Sequence, residues 1–166
     1  MKKTQKNITR AITRGAAVAA LYTALTLLSA LFGLSSGVIQ LRLSESLCLL
    51  PLIMPEAIPG LFVGCMISNL ITGCAVWDII FGSLATLIGA YLGRYLYVKL
   101  HTHPCVATLP TVLANAVIVP FVLMLAYGAE DTYFYFFATV GIGELISATL
   151  IGTAVYHKLF PLLSKL

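Results

Sequence analysis

Apolar residues run through this chain in long blocks, not in strand-like alternation. After a polar, basic opening (Lys2, Lys3, Lys6, Arg10, Arg14), no charged residue occurs over 15–40. That run exceeds the roughly 7 to 15 residues of a secretory apolar core, so a retained spanning helix over 15–34 is expected. Its small residues Ala16, Ala20 and Ala24 stand four apart and share one face. Such a face lets another helix approach closely. The neighbour is either a helix of the same bundle or a separate membrane subunit, and the pattern fits both.

Further blocks over 57–72, 78–98, 108–127 and 132–157 also read as helices. The segment 43–54 is short for a crossing and is followed closely by prolines, with Pro51, Pro55 and Pro59 in and after it. Charge decides its status. Arg94 and Lys99 end the 78–98 block, and they join the N-terminal lysines on the cytoplasmic side only if four crossings precede them. Segment 43–54 therefore counts as the second crossing. Six crossings put both termini in the cytoplasm with nine of the ten Lys and Arg residues, Arg42 being the exception. Glu45, Asp78, Glu130 and Asp131 gather at or near the outer ends.

Composition agrees with this pattern. Of 166 residues 60% are hydrophobic and 10% charged, with mean hydropathy +0.99, against roughly 25% charged in soluble domains. The expected fold is an all-α integral membrane protein of the cell membrane, a single six-helix transmembrane domain over 1–166. At roughly 20 residues per crossing the length leaves no room for a soluble domain, so any ATPase is another polypeptide. No repeat at a period of 20 to 50 residues is visible, which argues against an inverted-repeat transporter contained in one chain. The net charge of +4 is concentrated at the N-terminus, which reads as membrane orientation and not as nucleic-acid binding. Cys48, Cys65, Cys74 and Cys105 show no CxxC spacing, and three of them lie in apolar runs as small hydrophobes.

The polar residues that interrupt the hydrocarbon are the candidates for chemistry. In QLRLSE (40–45), Gln40, Arg42 and Ser44 fall on one side of an extended segment, as in a strand that lids a cavity. As a solvated ion pair Arg42 and Glu45 would be worth little, yet a loop that only connects helices needs no such alternation of polar and apolar residues. Glu144 lies mid-helix in the sixth block. A carboxylate there costs roughly 2.5 to 3.5 kcal/mol on insertion scales and marks a candidate site, unless it is a neutral acid bonded to a neighbouring helix. Gly141 and Gly143 leave space beside it. Asn69 and Asn115 can hydrogen-bond the edge of a nucleobase-like ring or staple two helices. Trp77 and Asp78, at the outer start of the fourth block, read either as belt anchor and N-cap or as a stacking ring and an acceptor of ligand N–H groups. Tyr127, Tyr133 and Tyr135 read mostly as belt residues. Phosphate loop, nucleophile elbow and HExxH motifs are lacking, and His101 with His103 is a poor metal site. No enzyme chemistry, metal or cofactor is expected.

With these residues set out, the chain resembles the QueT family of substrate-binding S-components of energy-coupling factor (ECF) transporters. The resemblance runs through QLRLSESLCLLP (Gln40, Arg42, Ser44, Glu45, Leu50, Pro51), AIPGLFVGCMISNL (Pro59, Gly60, Gly64, Asn69) and DIIFGSLATLIGAYL (Asp78, Gly82, Ser83, Thr86), and includes AAVAALYTALTLL. It covers nearly the whole chain, with 40–93 its specific part. The resemblance implies a six-helix subunit that captures a queuosine precursor, a 7-deazaguanine with an aminomethyl or nitrile group. The subunit would work with a transmembrane coupling subunit and two cytoplasmic ATPases. It implies that Ala16, Ala20 and Ala24 dock the coupling subunit and that 40–45 close over the ligand. A carboxylate suits the guanine edge and an aromatic or guanidinium face suits the ring, which makes Asp78, Glu144 and Trp77 candidates for those jobs, with Glu45 opposing a cationic substituent and Arg42 among the expected contacts. Gln40, Asn69 and Asn115 complete the expected contacts. Another vitamin-like ligand, a small membrane enzyme and a purely structural bundle are the alternatives.

Overall fold

The computed structural model describes residues 2–34 and 40–163, and among them every regular element is helical. Helix α1 is Lys2–Leu31, and residues 43–49 form a 3₁₀ helix, Leu43–Leu49, that runs into α2, Leu50–Ile53. Then follow α3 (Ala57–Ile71), α4 (Val76–Leu100), α5 (Pro104–Ala107) and α6 (Leu109–Tyr127). The last stretch is α7 (Tyr133–Glu144), a π-helical Leu145–Ile151, and α8 (Gly152–Leu163). Lys165, one of the basic residues assigned to the cytoplasm from the sequence, lies outside the described residues.

Among the described residues, four stretches are long and apolar enough to cross a bilayer, Asn7–Leu31, Val76–Leu100, Pro104–Tyr127 and Tyr133–Leu162. Leu43–Ile53 and Ala57–Ile71 are shorter apolar helices. The first helix begins well before the expected residue 15, because 2–14 contain neither Pro nor Gly to stop it. The expected second helix at 43–54 is instead mostly 3₁₀, the tighter winding that gains about 2.0 Å per residue and so reaches further with few residues.

Small residues set how closely the helices approach. A Cβ on Gly60 would stand 2.6 Å from the Gly15 carbonyl, and one on Gly64 2.8 Å from that of Ala19, so α3 lies directly on the backbone of α1. At the next seam, a Cβ on Gly89 of α4 would stand 2.5 Å from Cα of Thr111 on α6. Neither apposition tolerates a side chain, which is how membrane helices gain contact where no water is expelled. The inner face of α1 is thus Gly15, Val18, Ala19 and Tyr22, while Ala16, Ala20 and Ala24 stay exposed on its other side.

Residues 42–56 run along the inside of this framework from one end to the other. Arg42 lies 4.0 Å from Asp78 in the first turn of α4. At the far end the Arg94 guanidinium, near the close of α4, donates to the Pro51 carbonyl, and Arg14 pairs with Glu56 at 3.2 Å. Tyr97 and Tyr156 join α4 to α8 at that same end through their hydroxyls, 3.1 Å apart.

Candidate functional site

A polar stripe on α1, unremarked in the sequence reading, anchors the central segment. Tyr22, Thr26 and Ser29 follow at spacings of four and three, so they line one face. Each meets one of three consecutive residues. Ser29 Oγ accepts the Leu43 N–H at 2.9 Å, the Thr26 hydroxyl donates to Ser44 Oγ at 2.9 Å, and the Tyr22 hydroxyl donates to Glu45 Oε1. The 3₁₀ turn reinforces this docking, since Glu45 N–H reaches the Arg42 carbonyl at 3.1 Å.

Above the stripe, toward the Asp78 end of α4, lies a cavity of about 550 Å³, within the roughly 300–1,000 Å³ typical of small-molecule sites. Gln40, Arg42, Asn69, Asp78, Thr26 and Tyr127 are among its walls. Asp78 is its most heavily used group. Its Oδ2 accepts from the Tyr127 hydroxyl at 3.2 Å and faces Arg42, whereas its buried Oδ1 has no hydrogen-bond partner among the described residues. Tyr127 also accepts the Ala75 N–H at 2.9 Å, and Asn69 Nδ2 donates to the Asp78 carbonyl at 3.3 Å. A guanidinium, a carboxylate, an amide and a phenol therefore converge on one volume.

Three expectations change here. Ser44 does not share a face with Gln40 and Arg42: Arg42 is extended (φ −106°, ψ 104°), but the chain winds into 3₁₀ at Leu43 and turns Ser44 onto α1. Trp77 is on the outside of the bundle, 57% exposed and stacked on Phe81 with centroids 5.8 Å apart. It lines an apolar groove of about 610 Å³ with Phe121 and Leu125, away from the polar cavity, because residues 77 and 78 point about 100° apart on a helix. Tyr127, read from the sequence as a belt residue, supplies the aromatic group beside Asp78.

The other candidates lie deeper. Glu45 and Glu144 are 1% and 7% exposed, and Oε2 of each has no hydrogen-bond partner among the described residues. The 3₁₀ helix that carries Glu45 meets the π-helical stretch that follows Glu144 where the Cys48 thiol reaches the Ala148 carbonyl, 3.9 Å away. A π-helical stretch begins immediately after Glu144, a distortion found often at functional sites. Gly141 has ordinary clearance, 3.7 Å from an added Cβ to Ala116. Asn115 is buried, but its Nδ2 bonds the Thr111 carbonyl of its own helix at 3.1 Å, and it sits one turn deeper than the cavity wall residue Val119. Of the eight candidates, Gln40, Arg42, Asn69 and Asp78 share the cavity, Glu45, Glu144 and Asn115 lie in the deeper interior, and Trp77 is apart from both. The groups missed, Tyr22, Thr26 and Tyr127, were legible only in part: the 22, 26, 29 spacing was visible, while the reach of Tyr127 across to α4 was not.

Residues 12–161 match the model of a family described as "QueT transporter". A protein named "Queuosine precursor transporter QueT", from Lactococcus lactis subsp. cremoris (strain MG1363), is 40% identical over 93 residues, covering 56% of this chain and 54% of its own length. The chain thus spans about half the length of the curated relative it matches. No solved structure matches it. Four helices fit to cross a bilayer among the described residues, in a chain matched over nearly all its length by a transporter family, make this a multi-pass membrane protein, and it belongs to the QueT transporter family.

Proposed function

We propose that this protein is the substrate-binding membrane subunit of an ATP-driven ECF-type importer for a queuosine precursor of the 7-deazaguanine class. The observation that carries the reading is Asp78, a buried carboxylate with one oxygen unpartnered among the described residues, in the wall of a polar cavity shared with Arg42. A guanine-type edge offers two adjacent N–H donors to such a carboxylate, and a guanidinium offers its plane to the ring and its N–H groups to a ring carbonyl. Asn69 and Gln40 add amide donors and acceptors at the rim. The name of the Lactococcus lactis relative supports the ligand class.

In this reading the chain crosses the bilayer six times, with both termini in the cytoplasm. Residues 42–56 supply the second crossing, supported by their course from Asp78 to Arg94 and Glu56. The cavity then opens outward and the ligand enters beneath 40–42. Transport is completed by a coupling subunit and two ATPases on other chains, the first docking on the exposed face of Ala16, Ala20 and Ala24.

Thermal-shift measurement on the purified protein tests the ligand. Saturating deazaguanine at about 100 Kd should stabilise the fold by about 2.7 kcal/mol, and Asp78→Asn should weaken binding by tenfold or more, since one charge-assisted acceptor is lost. Stabilisation by flavin or thiamine but not by deazaguanines would reject the assignment. Docking has its own test. Ala20→Trp should leave ligand binding intact and prevent copurification with the coupling subunit; lost ligand binding would place that face in internal packing.

A further inference from the structure

At the rim of the cavity the directions of two hydrogen bonds are forced. Tyr127, the last residue of α6, sets its hydroxyl between two groups at the start of α4. It accepts the Ala75 N–H at 2.9 Å and donates to Asp78 Oδ2 at 3.2 Å. A backbone N–H can only donate and an ionised carboxylate can only accept, so the phenol proton has one place to go. Oδ2 is thereby committed, held between this hydroxyl and Arg42 at 4.0 Å.

The other oxygen is kept clear. Oδ1 is buried and has no hydrogen-bond partner among the described residues. One turn further along α4 stands Gly82, where an added Cβ would come 3.0 Å from Oδ1 and 3.4 Å from Nδ2 of Asn69. A side chain at 82 would therefore press on the oxygen that Tyr127 leaves open. The Asn69 amide steadies the same residue from the main-chain side, through the Asp78 carbonyl at 3.3 Å. Asp78, Asn69 and Tyr127 all belong to the wall of the one cavity. The Tyr127 residue is 48% exposed, so its contribution lies in the hydroxyl more than in core packing.

We propose that Tyr127 is a positioning residue that sets the ligand specificity of the site: its hydroxyl fixes the Asp78 carboxylate so that Oδ1, in the clearance left by Gly82, meets N–H donors on the edge of the heterocycle. The inference rests on the deazaguanine reading above. Without the hydroxyl the carboxylate turns about its Cβ–Cγ bond, a broad torsion with little preference of its own, and the acceptor is no longer aimed.

Isothermal titration of the full chain in nanodiscs tests it, with 7-deazaguanine and 7-deazahypoxanthine, which lacks the exocyclic amino donor, as the two probes. The wild type should prefer 7-deazaguanine by about tenfold or more, the worth of one charge-assisted hydrogen bond. Tyr127→Phe keeps the ring and removes only the hydroxyl, and it should bring the ratio to within about threefold. Gly82→Ala displaces the same oxygen from the other side and should narrow the ratio likewise; it carries the decision should the phenylalanine variant fail to fold. The wild-type ratio retained in the folded variant, whether or not the melting temperature falls, would reduce Tyr127 to a structural tie and overturn the proposal. Equal affinities of the wild type for the two probes would overturn it as well, while leaving the deazaguanine reading in place. Failure of both probes to bind the wild type would show that the ring reading had itself failed, and the role of Tyr127 with it.

Discussion

Arg42→Ala should abolish ligand uptake and lower the stability of the purified protein by about 3 kcal/mol or more, the scale seen when one partner of a buried ion pair is removed. Arg42 faces Asp78 at 4.0 Å, and its side chain is 16% exposed. Without it, the buried Asp78 carboxylate is left without its cation and must draw in water. Arg42→Lys distinguishes charge from shape. Lysine retains the positive charge but not the planar fork, so most of the lost stability should return while ligand affinity does not. Uptake assays and thermal unfolding in detergent read the two effects, and an alanine variant with unchanged uptake and melting temperature would remove Arg42 from the site.

Gly89→Ala should be the most damaging single-methyl addition at the α4–α6 seam, costing about 3 kcal/mol as overpacking. The new Cβ would stand 2.5 Å from Cα of Thr111 and 2.6 Å from its Oγ1, and backbone cannot swing aside. The helices must separate, which moves Thr111 and the Val119 wall of the cavity together. Gly141→Ala is the matched control, since its Cβ would meet Ala116 at an ordinary 3.7 Å and should change stability by no more than about 0.5 kcal/mol. Equal melting temperatures for the two variants would mean that α4 and α6 are not in backbone contact there.

Much of the architecture could be read from the chain because the bilayer constrains it so strongly. Hydrocarbon admits few backbone forms, so apolar blocks of about 20 residues must be helices. The blocks over 57–72, 78–98 and 108–127 match α3, α4 and α6 to within about two residues at each end. The 3₁₀ winding of Leu43–Leu49 could not be read this way. It depends on Ser29, Thr26 and Tyr22 meeting Leu43, Ser44 and Glu45 in register, a match between residues up to 23 positions apart. The π-helical Leu145–Ile151 carries no local signal either; a run such as LISATLI is ordinary helix by composition.

The candidate site divides along the same line. That Gln40, Arg42, Glu45, Asn69, Asp78, Asn115 and Glu144 stand out is a matter of solvation, because each is a polar group in a chain otherwise suited to lipid, and each must find partners or a ligand. Which of them share a volume is a matter of helix rotation. Asp78 turns inward and Trp77 outward although they are neighbours in sequence, and Tyr127 crosses to α4 because the close seam at Gly89 brings α6 within reach.

From the amino-acid order alone came the membrane environment, the positions of most helices and the set of polar residues that require an explanation, all of which follow from the transfer free energies of individual side chains. Tertiary structure alone decided the pairing of Arg42 with Asp78, the docking of 43–45 on the α1 stripe and the outward turn of Trp77. Those depend on how closely glycine-lined helices approach and at what rotation, quantities set by contacts between distant segments and carried by no single stretch of the chain.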